Sequence, residues 1–401
     1  MFVTVKNGGF VRHGKKYVVH GANYWQGMNL ASTQGGDRAR LEKELDQMAA
    51  MGINHLRIMA GSEGPDTEPE RMRPSLMPEP GQYNEAIFQG LDYLLDAMAK
   101  RDMTATMVLN NFWHWSGGLS QYVAWVTHTV PPYPTRDPAT FPVFVKYAQR
   151  FYLDETVQEL ANSLFKNHIQ VVQTRRNIFN GNTYNEDPVI MSWQIANEPF
   201  EAPASWYDDL AKTIKQGAPR QLVSSGIESK LDVTDFIHGT QSMDYATCHL
   251  WVENWGIYHP KDPNSLLAAL NFATDYLATR ANWARQLGKP IILEEFGMCR
   301  DAWKQPDNDN AKYDPATTTN HRDAYFDQVL AQVSVTHDEF CGFLFWAYGG
   351  VGRPTNDPNQ FDMVWTGDPP HEPNGWYSIY DNDTTTKLIA KYCHDKRSCQ
   401  L

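Results

Sequence analysis

Two short stretches hold the residues best suited to chemistry: Trp193-Gln194-Ile195-Ala196-Asn197-Glu198-Pro199 and Ile291-Ile292-Leu293-Glu294-Glu295-Phe296-Gly297. Each is an apolar run about one strand long that ends in a carboxylate and then a chain-breaking Pro or Gly. A carboxylate at the C-terminal tip of a buried parallel strand is where a β/α barrel keeps its catalytic groups. Two such carboxylates on separate strands supply what acid/base cleavage of a glycosidic bond needs, one protonated and one ionised.

The elements that must position them alternate along the whole chain. Strand patterns fall at 17–25, 53–60, 103–110, 189–196, 221–225, 245–251, 290–296 and 341–348. Helical spacing falls between them, at 37–51, 84–101, within 141–176, and at 205–216, 265–287, 319–335 and 385–393. The 226–242 connection offers a short helix at most. Strands and helices alternating in this way predict a (β/α)8 TIM barrel, with residues 1–401 as one catalytic domain. The connections at 61–83, 112–140 and 349–380 are long and all follow strands, so they are expected to rise as loops over the C-terminal face, where barrels bind substrate.

Strand parity bears on the choice between Glu294 and Glu295. Ile291, Leu293 and Glu295 share one face and Ile292, Glu294 and Phe296 the other. Spacing alone leaves either face as the inner one, although Gly297 frees backbone space beside Glu295. The competing reading for the remaining Glu is a salt bridge between strand and helix.

Charge and composition narrow the partners. A net charge of −12 with no basic stripe argues against nucleic acid and suits a neutral substrate. No apolar run approaches the ~20 residues that span a bilayer. Trp113, Trp115, Trp255, Trp365 and Trp376 lie in Gly/Pro/Asn-rich segments, where exposed flat rings suit stacking on sugars. The five cysteines show no zinc spacing. Buried free thiols are the default expectation, with a Cys393–Cys399 bridge as the alternative. A native start at Met1 would imply an intracellular protein, and a removed signal peptide a secreted or periplasmic one.

Asn197-Glu198-Pro199 with Glu295-Phe296-Gly297 resembles glycoside hydrolase family five, among the retaining β/α-barrel glycosidases. Gly52-Ile53-Asn54-His55-Leu56-Arg57-Ile58 resembles that family's second strand with its active-site Arg. His249-Leu250-Trp251 falls where the family has its sixth-strand His, and Phe345-Trp346-Ala347 resembles the eighth strand with its floor Trp. The segments from Asn110 to Gly118 and Gly367-Asp368-Pro369-Pro370 are similar to the mannan-cleaving branch, most of all to microbial enzymes that include exo-acting β-mannosidases. The similarity runs over essentially the whole chain.

The resemblance implies Glu198 as general acid/base and Glu295 as nucleophile. Arg57 would keep Glu295 ionised, while the nearby negative charge would raise the pKa of Glu198. Asn197 would grip the sugar 2-hydroxyl, and His249 would join the network around the acid/base or the sugar. Trp346 would stack under the reacting sugar, with Trp113 lining the same subsite. Much of the family has His-x-Tyr on the sixth strand. Here Trp251 stands at the Tyr position, and its indole can donate a hydrogen bond but cannot accept one. His20 and His114, at strand ends, are pocket candidates.

The expected activity is double-displacement hydrolysis of β-1,4-mannan and manno-oligosaccharides with substantial exo action, by a monomer without metal or organic cofactor. The alternatives are an open-cleft endo-mannanase or a glucan hydrolase of the same family. A non-catalytic sugar-binding barrel would lack one of the two carboxylates, and a metal-dependent hydrolase would need less scattered histidines.

Overall fold

The computed structural model describes residues 1–135, 137–230, 232–335 and 339–395. Eight parallel strands form the barrel: β1 Val19–Asn23, β2 His55–Met59, β3 Thr104–Val108, β4 Ile190–Gln194, β5 Leu222–Ser224, β6 Ala246–Leu250, β7 Ile291–Phe296 and β8 Phe340–Phe345. Ladders connect them in the order β5-β4-β3-β2-β1-β8-β7-β6. The β5–β6 seam closes through isolated bonds: Asp244 N–H to Val223 O and His249 N–H to Glu228 O, each at 2.9 Å. Every residue of the eight strands is buried, as expected when helices cover the outside and side chains fill the inside. The result is a (β/α)8 TIM barrel.

The helices start and stop where local chemistry allows. Asp37 and Asn84 accept backbone N–H groups at the starts of Arg38–Ala50 and Glu85–Ala99. Gly288, at φ 64°, ends Ser265–Leu287 in the left-handed conformation. The 141–176 stretch resolves into Phe141–Leu153 and Gln158–Thr174. They are separated at Asp154, whose carboxylate accepts the Thr156 N–H at 3.0 Å. The 226–242 connection holds Val233–Thr240. The 112–140 connection, expected as loop, contains the helix Gly118–Thr127, most of it buried.

An N-terminal antiparallel sheet of Thr4–Lys6, Gly9–Arg12 and Lys15–Tyr17 precedes the barrel. Its tight turns use paired positive-φ residues, Asn7-Gly8 and His13-Gly14. Val3 and Phe10 pack with Val19, Met191, Leu222, Tyr245, Ile292 and Leu344, closing the barrel's lower end. Above that apolar plug lies a polar layer of His55, Thr104, Thr106, Ser192 and Tyr245, linked by side-chain bonds of 2.6 to 2.9 Å.

Cys248 and Cys299 are buried thiols. Cys399, and with it the Cys393–Cys399 alternative, lies outside the described residues. No helix among the described residues is long and apolar enough to cross a membrane.

Candidate active site

The barrel's upper end gathers charged groups from several strands around Arg57 of β2. Arg57 is 3% exposed. Its Nε donates to Gln194 of β4 at 2.8 Å, one terminal nitrogen to Asn197 Oδ1 at 2.7 Å, and the other to Asn23 Oδ1 at 3.0 Å and to Glu295. The planar guanidinium thereby fixes the tips of β1 and β4 and Glu295 of β7 in one geometry. Trp251 Nε1 donates to the other Glu295 oxygen at 3.2 Å, so the indole that replaces the family's Tyr does contact this carboxylate.

Glu198 follows β4 with φ of 48°, a left-handed conformation uncommon for a non-glycine residue. Its N–H donates to Gly226 O at 3.0 Å. A Cβ on Gly226 would sit 1.9 Å from Ala196 O, so only glycine permits this approach of β4 to the segment after β5. The Glu198 carboxylate pairs with His249 Nδ1 at 2.6 Å and accepts the Trp113 indole N–H at 2.6 Å. One ligating atom from each of Glu198, His249 and Glu295 lies within 4.8 Å of the others. Asn23, Trp25, Arg57, Trp115, Asn197 and Trp346 line the floor.

Glu294 does not form the strand-to-helix salt bridge offered as its alternative role. Both of its oxygens accept from Gln194 Nε2, at 2.7 and 3.0 Å, and it lies 3.8 Å from Arg57 and from His249. The cause is a register shift between Leu293 and Glu295 against β6. A bulge there interrupts the two-residue alternation, so both glutamates reach the interior network.

The charge balance differs from the expected one. Burial pulls the His249 imidazole down, but Glu295, Glu198 and Glu294 outweigh it and raise it to about 10. Burial pushes Glu198 up, yet hydrogen bonds from His249 and Trp113, with the charges of His249 and Arg57, hold it below the ordinary carboxylate value. Burial pushes Glu295 up, and His249 and Arg57 do not fully cancel that rise. The expected directions for the two carboxylates are therefore reversed. The physical reason is the His249 cation, whose pairing with Glu198 parity and spacing do not reveal. The raised His249 and lowered Glu198 both favour the proton on the His249 side of their 2.6 Å contact.

Of the predicted site residues, Arg57, Asn197, Glu198, His249, Trp251, Glu295, Trp346 and Trp113 all converge here. His20 does not: it lies near the start of β1, stacked on Phe343, far down the barrel from the strand tips. His114 is fully buried beside Glu70, at 3.3 Å, and Tyr133. Trp115 and Trp365 are buried rather than exposed, because both pack on Trp25. Asn23, Gln194 and Glu228 were not singled out. Asn23 and Gln194 carried a signal, since each is a polar residue within an apolar strand pattern.

The Glu198–His249–Glu295 group is also the set, among the described residues, whose spacing suits a cation. Its donor chemistry does not fit one well. Arg57 and Trp251 already occupy the Glu295 oxygens, while Trp113 and His249 occupy those of Glu198.

Two carboxylates at this separation, Glu295 buried and Glu198 half-buried, on the tips of different strands of a (β/α)8 barrel, are the equipment of a glycoside hydrolase. Residues 1–400 match the family described as GH family 5 beta-mannosidase-like, and the chain belongs to that family. It is similar to the glycoside hydrolase family 5 mannosidase of Rhizomucor miehei, with 55% identity and a TM-score of 0.98 over 100% of this chain and 99% of that one. A variant of that enzyme, also 55% identical, has been solved with mannosyl-fructose; it covers 98% of this chain and 96% of its own, with a TM-score of 0.96. Mannan endo-1,4-beta-mannosidase 1 of Arabidopsis thaliana is 28% identical over 86% of this chain and 82% of its own length.

Proposed function

We propose that this hydrolase is a retaining β-mannosidase that releases mannose from β-1,4-linked manno-oligosaccharides, largely by exo action, with the chain working as a single catalytic domain and as a monomer. The observation that carries the retaining reading is the clustering of Glu198, His249 and Glu295 oxygen and nitrogen atoms within 4.8 Å. Retaining enzymes hold their carboxyl groups roughly 5–5.5 Å apart, too close to admit an inverting water between them.

In this reading Glu295 attacks the anomeric carbon, with Arg57 and Trp251 orienting its two oxygens. Glu198 protonates the departing oxygen, using the proton it shares with His249. After the leaving group departs, Glu198 takes a proton from water, which releases the sugar from Glu295. Trp346 forms the floor, and Asn197, held by Arg57 and by Asn111 Oδ1 at 3.1 Å from its own Nδ2, is placed for the 2-hydroxyl.

The exo preference rests on contacts between two long connections. Trp115 stacks on His371 with centroids 6.4 Å apart and planes 6° from parallel, and His114 meets the same ring at 5.8 Å. Residues of the 112–140 and 349–380 segments thus meet beside Trp346, which Trp115 touches at 6.3 Å. That junction supports a wall beyond the reacting-sugar site. A product time course on mannohexaose tests it: mannose and mannopentaose as the first products are expected, and mannobiose, mannotriose and mannotetraose appearing together from the start would establish endo cleavage instead. Faster cleavage of cellohexaose than of mannohexaose would overturn the choice of sugar.

A further inference from the structure

A groove of about 870 Å³ lies outside the catalytic centre, between the segment after β5 and the helix Ser265–Leu287. Trp255, Phe272 and Trp283, all half-buried, line it together with Tyr276. Trp255 packs on Phe272 and Tyr276 with centroids 6.0 and 5.4 Å away. Arg280 is held against the Tyr276 ring at 3.6 Å and donates to Ser229 O, which stiffens the opposite wall. From Phe272 to Gln286 the helix extends about 21 Å at 1.5 Å per residue, long enough for several sugar units.

Two features point to the occupant. The charges along the groove balance, Lys230 and Arg280 against Asp232 and Asp275, which suits a neutral ligand over a nucleic acid or charged peptide. A chain of contacts also links the groove to the acid/base. His249 touches Glu198 with its ring at 2.6 Å and donates its backbone N–H to Glu228 O at 2.9 Å. The Glu228 carboxylate accepts the Trp255 indole N–H at 3.1 Å, and Trp255 lines the groove. Departing sugars lie on the side of Glu198, because that group protonates the leaving oxygen.

The geometry points to this aromatic groove as the binding site for the leaving-group end of a neutral β-linked manno-oligosaccharide, continuous with the catalytic cleft through Glu228 and Trp255. The inference rests on the exo-mannosidase reading above. Trp255 and Trp283 would offer flat faces to the sugar C–H surfaces, while Asp275, Thr279 and Gln286 supply hydroxyl partners.

The test is calorimetric titration of mannobiose and mannohexaose into the Glu295→Ala protein, alone and combined with Trp283→Ala or Thr279→Arg. Mannohexaose is expected to bind roughly tenfold more tightly than mannobiose, one chain per protein, and each groove substitution should remove most of that gain. Thr279 is exposed, so Thr279→Arg blocks the groove without opening the core and serves if Trp283→Ala fails to fold. Undiminished mannohexaose binding by Thr279→Arg would overturn the proposal. Two chains bound per protein would likewise overturn it, by making the groove a separate surface site. Failure of the unsubstituted enzyme to cleave any β-mannoside would instead reject the underlying functional reading.

Discussion

Trp113→Phe removes one hydrogen bond to Glu198 and little else. The indole N–H donates to Glu198 at 2.6 Å, while the ring stacks on Phe141 and Phe144 at 5.8 and 6.1 Å, contacts a phenyl ring largely keeps. A hydrogen bond to a charged group contributes about 1.5–3 kcal/mol. At about 1.36 kcal/mol per pKa unit, losing it raises Glu198 by about one to two units. The hydrolytic step needs Glu198 ionised, so the acid limb of the kcat profile should move up by that amount. Within the shifted interval, turnover falls about ten- to hundredfold, and KM falls with it because the glycosyl-enzyme accumulates. Well above the limb, kcat should match the unsubstituted enzyme. The assay is a pH series on an aryl β-mannoside whose good leaving group makes the second step limiting. An unshifted limb, with kcat depressed equally at all pH values, would refute the role of the Trp113 bond in setting the Glu198 charge.

Glu198→Ala and Glu295→Ala should each lower turnover by orders of magnitude while retaining the folded state by circular dichroism. Azide should rescue Glu295→Ala and give a product of inverted anomeric configuration, whereas near-normal activity in either variant would reject its assigned role. Glu63 is buried, accepts Gly118 N–H at 2.9 Å, and is pushed up to about 8 by burial. With its folded value above its unfolded value, the protonated form stabilises the fold below the ordinary carboxylate range, and that stability is lost as pH rises to about 8. Glu63→Gln should therefore raise Tm by a few degrees at pH 8 and leave it nearly unchanged near pH 5. A Tm gain of the same size at both pH values would show that Glu63 is not protonated in the fold.

The reversed pKa directions of Glu198 and Glu295 have a mechanistic consequence. The raised His249 and the lowered Glu198 favour a proton held in the His249–Glu198 pair, in a cluster where His249 is fully buried. The proton is available to Glu198 without exchange with bulk water. Glu228, itself raised to about 8 by burial and by the Glu198 charge, adds a fourth carboxyl to Glu198, Glu294 and Glu295.

Much of this protein was legible in its sequence. Alternating apolar strands and amphipathic helices are local, periodic patterns, and the barrel follows from their order. Glu198 and the Glu294-Glu295 pair were legible for a related reason, as carboxylates that end apolar strand patterns, and parallel strands bring such tips to one rim. Arg57, His249, Trp346 and the choice of Glu295 were implied only by the resemblance to the family. Other features arise only from packing between distant segments. Parity could not assign Glu294, because the bulge in β7 depends on pairing with β6. Burial of Trp115 and Trp365 depends on Trp25, which lies far away in the chain. The pairing of His249 with Glu198, and with it the direction of both pKa shifts, depends on β6 approaching the turn after β4 across the barrel. Hydrophobic period is written residue by residue, whereas charge coupling is set by distances across the barrel that exist only once the chain has closed on itself.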